Sequence, residues 1–111
     1  MGRDTTIKQI SEKEQKSQMS NLRKRASELF EGISDNYRQG MVYRLLNCAK
    51  GGKKEEFIEL TIRYAAGQMK DKKVAEFCNE VSKTVENSSE SSFREYAHSI
   101  ILGIMSQKEG R

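Results

Sequence analysis

Asp35-Asn36-Tyr37-Arg38-Gln39-Gly40-Met41-Val42-Tyr43-Arg44-Leu45-Leu46-Asn47-Cys48-Ala49-Lys50 is the stretch on which the fold turns. At about 100° per residue, Tyr37, Met41, Val42, Leu45, Leu46, Cys48 and Ala49 spread over nearly half the circumference of a helix. A narrow polar strip of Gln39, Gly40, Tyr43, Asn47 and Lys50 remains. An apolar arc this wide predicts a central helix of a bundle, contacted from several sides. Ser34-Asp35 offers the N-cap and Gly51-Gly52 the stop.

Working outward, Met19, Leu22, Ala26, Leu29, Phe30 and Ile33 recur at steps of three and four, one apolar stripe on a preceding helix. After the Gly-Gly stop, a helix over about 53–69 turns Phe57, Leu60, Tyr64, Ala65 and Met69 inward, with Glu59 and Arg63 paired outside. Asp71 is the expected N-cap of the next helix, where Val74, Phe77, Cys78, Val81 and Val85 form a clean stripe. Ser92 and Glu95 suit the capping box of a last helix, about 92–107. That helix is apolar over a broad arc: Phe93, Tyr96, Ala97, Ile100, Ile101, Ile104 and Met105, with Leu102 nearly opposite. One small core rarely covers so much of a terminal helix, so Tyr96, Ile101, Leu102 and Met105 are expected to face another protein chain.

The expected architecture is therefore all-α, a four- to five-helix bundle. Residues 1–17, with only Ile7 and Ile10 as strong apolar groups, read as a flexible or frayed N-terminal segment. Residues 18–107 read as one domain. Proline is absent from all 111 residues, which suits a chain made of helices. No apolar run approaches the roughly 20 residues of a membrane span, and the N-terminus shows no secretory signal. Cys48 and Cys78, thirty residues apart on apolar faces, read as reduced core thiols of a cytoplasmic protein.

The residues supply little for catalysis. His98 is the sole histidine, and no nucleophile or orienting acid accompanies it at recognisable spacing. Two distant cysteines and one histidine do not make a zinc site, and Gly51-Gly52-Lys53-Lys54 lacks the spacing of a phosphate loop. The reading is a non-enzyme with no cofactor, no metal and no small-molecule substrate.

Charge points elsewhere. The net +4 is unevenly spread, and no acid lies between Asp35 and Glu55, where Arg38, Arg44, Lys50, Lys53 and Lys54 are found. A second knot, Lys70, Lys72 and Lys73, is broken only by Asp71. These eight cations, at two ends of the third helix, are the candidates for sequence-independent contact with a nucleic-acid backbone. Base reading is not expected, because the fourth helix exposes Glu76 and Glu80, which phosphates repel.

Two segments also carry a family likeness. Phe57-Ile58-Glu59-Leu60-Thr61-Ile62-Arg63-Tyr64-Ala65-Ala66-Gly67 resembles a helix in the small subunits of multi-subunit CRISPR effector complexes. Phe93-Arg94-Glu95-Tyr96-Ala97-His98-Ser99-Ile100-Ile101-Leu102-Gly103 looks like their final helix and is similar to the C-terminal helical domain of some type I large subunits. Gln68 stands where type III members are expected to carry a basic residue, which favours the type I (Cascade) branch. The resemblance spans about residues 34–106. It implies a non-catalytic subunit that steadies the guide–target duplex and the displaced DNA strand. The implied partners are large and backbone subunits, further copies of the chain, guide RNA and target DNA, with no membrane. The alternative is a helical adaptor that binds protein and no nucleic acid.

Overall fold

The computed structural model describes residues 12–106, and those residues form five helices and no strand. They are α1 (Glu12–Leu29), α2 (Asp35–Lys50), α3 (Lys54–Ala66), α4 (Asp71–Thr84) and α5 (Glu90–Met105). The fold is an all-α helical bundle. Residues 12–17, expected to lie in a flexible lead-in, are the opening turns of α1. They gain order from a helix neighbour, since the Gln15 side chain donates to Glu95 of α5. Residues 1–11 and 107–111 lie outside the described part, and with them most of the expected lead-in and the end of the domain expected at 107.

Local chemistry sets the helix limits. The Ser34 hydroxyl accepts from the Tyr37 N–H and starts α2; Ser89, three residues before the expected Ser92, does the same for α5 through the Ser92 N–H. Gly52 takes a φ of +71°, which a glycine adopts without strain, while the Lys53 N–H returns to the Cys48 carbonyl. Lys70, one residue before the expected Asp71, is the N-cap position of α4 and makes no side-chain cap there.

Contacts fix the directions. Gln15 meets Glu95, Gln18 meets Tyr96, and Ser27 meets the Ser106 carbonyl, so α1 and α5 run parallel. Arg25 pairs with Glu76 and Glu28 with Lys73, so α4 runs antiparallel to α1. Between these helices the core is built on edge-to-face aromatic pairs: Phe30–Phe77 with centroids 6.1 Å apart and Phe57–Phe93 at 5.6 Å.

The centre of the bundle is α5, not α2. Phe93, Tyr96, Ala97, Ser99, Ile100, Ile101, Gly103 and Ile104 are all buried on α5, against Met41, Leu45, Cys48 and Ala49 on α2. Small residues make the difference. A Cβ on Gly103 would lie 2.3 Å from the Arg23 carbonyl oxygen and 2.9 Å from the Ala26 Cβ, so α1 sits directly against the α5 backbone. The wide arc of α2, by contrast, is only partly covered. Tyr37, Tyr43 and Leu46 are 46%, 68% and 38% exposed.

Candidate functional site

Four of the eight candidate cations are engaged in the fold itself. Arg38 is only 14% exposed along its side chain; it pairs with Asp35 at 2.8 Å and donates to the Ile33 carbonyl at 3.1 Å. Lys54 donates to the Ser88 carbonyl at 2.8 Å and ties the start of α3 to the loop before α5. Lys70 reaches the Glu28 and Leu29 carbonyls, both at 3.3 Å, at the C-terminal end of α1 where carbonyls lack intrahelical partners. Lys73 pairs loosely with Glu28 at 3.8 Å. The knot at 70–73 is therefore largely spent on the end of α1, leaving Lys72 exposed.

Arg44, Lys50 and Lys53 remain exposed and have no ion pair among the described residues. Lys50 and Lys53 flank the α2–α3 turn, which the Lys54–Ser88 bond holds close to the start of α5. The structure therefore brings the 50–54 group together, and it places the 70–73 group at the far end of α3, about 20 Å away by helical rise.

The protein-facing residues need correcting. Tyr96 is 2% exposed and Ile101 3%, both packed into this chain's own core, so neither is open to a partner. The Tyr96 hydroxyl donates to Gln18 Oε1 at 2.7 Å, and burial, with Glu14 and Glu95 nearby, pushes its ionisation up. Leu102 is half-buried, and Met105 alone of the four is exposed. Two neighbours account for this: α1 covers the face that bears Tyr96, whose hydroxyl meets Gln18, and Ile101 packs on the α2 flank beside Leu46 and Ala49.

Another opening lies on the opposite flank of α5. Helices α2 and α5 run antiparallel there, leaving a hollow of about 350 Å³ whose floor is Leu46, Ala49 and Ile101 and whose rim is Lys50, Arg94 and His98. Through Leu46 it continues into a second hollow of about 450 Å³ between Val42, Tyr43 and Met105, closed at the far end by the Asp35–Arg38 pair. No family model, curated protein or solved structure matches this chain. The site is therefore read from its own geometry.

Arg94 is the functional candidate the sequence reading passed over. Its signal was present: Arg94, His98, Ile101 and Met105 recur at steps of four, three and four, a stripe of polar and apolar groups on one flank of α5. Among the described residues no three His, Cys, Asp or Glu side chains gather where they could hold a metal ion. His98 is exposed on the groove rim with no hydrogen-bond partner among the described residues. The two cysteines are free, and burial pushes both thiols up, which favours the unreactive protonated form. No described helix is long and apolar enough to cross a membrane.

Proposed function

We propose that this chain is a non-catalytic, cytoplasmic binding subunit of an RNA-guided assembly, the role implied by its likeness to small subunits of type I CRISPR complexes. In that role it steadies a guide–target duplex and a displaced strand through backbone contacts, beside large and backbone subunits and further copies of itself. The observation that carries the reading is the set of cations left over once the fold has used its own. Lys50 and Lys53 stand exposed, with no ion pair among the described residues, on either side of one turn, with Arg94 on the neighbouring helix. Glu55, Glu56 and Glu90 lie at the same end, so contact falls on discrete phosphates rather than on a broad positive field. Arg44 and Lys72 extend the contact; Arg38, Lys54, Lys70 and Lys73 support it only by holding helices in place.

The test is the salt dependence of binding to a DNA oligonucleotide and to an RNA–DNA hybrid. Removing two phosphate contacts with Lys50→Gln and Lys53→Gln should lower the slope of log K against log salt by roughly 2. Lys54→Gln should leave the slope unchanged and lower stability instead. An unaltered slope in the double variant withdraws the assignment.

A further inference from the structure

We propose that the groove between α2 and α5 is a docking site for a short amphipathic helix of a partner protein, one whose apolar face ends in acidic residues. This goes beyond backbone holding and does not depend on it. The floor is hydrocarbon from end to end: the accessible faces of Val42, Leu46 and Met105, with only the edges of the buried Ala49 and Ile101 between them. A sugar–phosphate chain has nothing to bury on such a floor, and bases would need stacking platforms. Two rings line it among the described residues, Tyr43 in one half and the His98 imidazole in the other, too far apart in the groove to form a continuous stacking surface.

Length and charge narrow the occupant. From Gln39 to Lys50 the α2 wall rises for about 16 Å, three turns, which matches a helix laying apolar groups at i, i+4 and i+7 between two others. The groove's charge is polarised. At one end the Asp35 carboxylate already neutralises Arg38. At the other, Lys50 and Arg94 line the hollow with His98 and have no ion pair among the described residues; Glu90 and Glu95 stand beside Arg94 but outside the hollow. A partner helix with carboxylates in the turn that meets Lys50 and Arg94 is complementary along the whole length. A basic helix is not.

The test uses two fluorescein-labelled helical peptides on the full chain, followed by anisotropy. Both carry leucines at i, i+4 and i+7; one has glutamates in its last turn and its twin has lysines there. The glutamate peptide should bind at least about tenfold more tightly than the twin. Leu46→Ser with Met105→Ser should weaken it by a further tenfold or more with only a small fall in the thermal midpoint and the chain still folded, since both side chains are partly exposed. Arg94→Glu should reverse the preference between the twins. Equal affinity of the twins, no binding of the glutamate peptide, or indifference to the double serine variant would overturn the proposal. So would a DNA oligonucleotide that displaces the peptide and is itself weakened by the serine variant, because the groove would then belong to nucleic acid. The salt slope of Lys50→Gln/Lys53→Gln is a separate measurement, so either assignment fails on its own data.

Discussion

Helices α2 and α5 carry apolar arcs of similar width, yet one is half open and the other is the axis of the molecule. The difference lies in what sits between the large side chains. On α5 the spacers are Ala97, Ser99 and Gly103, all buried, and they let a second helix approach to backbone contact. On α2 the spacers are Arg38, Tyr43 and Arg44, long groups that hold neighbours off and stay partly or fully exposed. A broad apolar face thus becomes core where its spacers are small, and groove wall where they are bulky. The same helix can do both: α5 gives one flank to α1 and the other to the groove.

The sharpest way to break this account is at Gly103. A valine there would put methyl groups where the Arg23 carbonyl oxygen and the Ala26 Cβ already are. Backbone cannot yield as a flexible side chain can, so α1 and α5 must separate along the seam. We expect a loss of about 3 kcal/mol or more, read as a large fall in thermal midpoint. On the groove flank, Leu46→Val, which removes one methylene from a partly exposed side chain, should cost well under about 1 kcal/mol. If the two variants melt alike, the seam is not what distinguishes α5 from α2.

A smaller effect separates cations that hold the fold from those that face solvent. Lys70→Met keeps the aliphatic stem but removes the ammonium from the Glu28 and Leu29 carbonyls, at an expected cost of about 0.5–1 kcal/mol. Lys54→Met should behave similarly through the lost bond to Ser88. Lys53→Met and Lys72→Met should change chemical denaturation midpoints negligibly. Equal effects across all four would mean that these side-chain bonds do not matter to stability.

The helices themselves were legible because hydrophobic period and cap residues are local properties. Asp35–Lys50 is found with the bounds read from Ser34 and Gly51-Gly52; the cap of α5 shifts by three residues, Ser89 for Ser92, and the start of α1 by more, since Glu12–Leu29 takes in residues read as a flexible lead-in. What a single helix cannot announce is which neighbour takes which flank. Tyr96 and Ile101 read as surplus surface because nothing local says that α1 runs parallel to α5 and covers the first, or that α2 packs against the second. The basic knots divided for a similar reason. Lys50 and Lys70 look alike in sequence, but only one lies within reach of another helix's terminal carbonyls, through a contact forty-one residues away. The groove escaped notice because its two walls are distant in the chain and each is unremarkable alone.

The smallest expected effect is on the alkaline limb of stability, and it reads the two helices separately. Cys48 on α2 is held above the ordinary thiol value of 9.0 chiefly by burial, with Glu56 raising it further and Lys53 opposing. Tyr96 on α5 is held above 10.0 by burial and then by Glu14 and Glu95. In both cases the folded state keeps a proton that the unfolded chain releases. Their contribution is therefore complete below the unfolded value and declines as pH rises through the folded one. Cys48→Ala should flatten the fall in melting temperature that begins above pH 9.0, and Tyr96→Phe the part that begins above pH 10.0. Tyr96→Phe should also lower stability at neutral pH by about 1 kcal/mol, because Gln18 loses its donor, whereas Cys48→Ala should act mainly through packing. A Tyr96→Phe variant with an unchanged alkaline limb would mean that its hydroxyl meets water in solution, and hence that the α1–α5 seam opens near its N-terminal end.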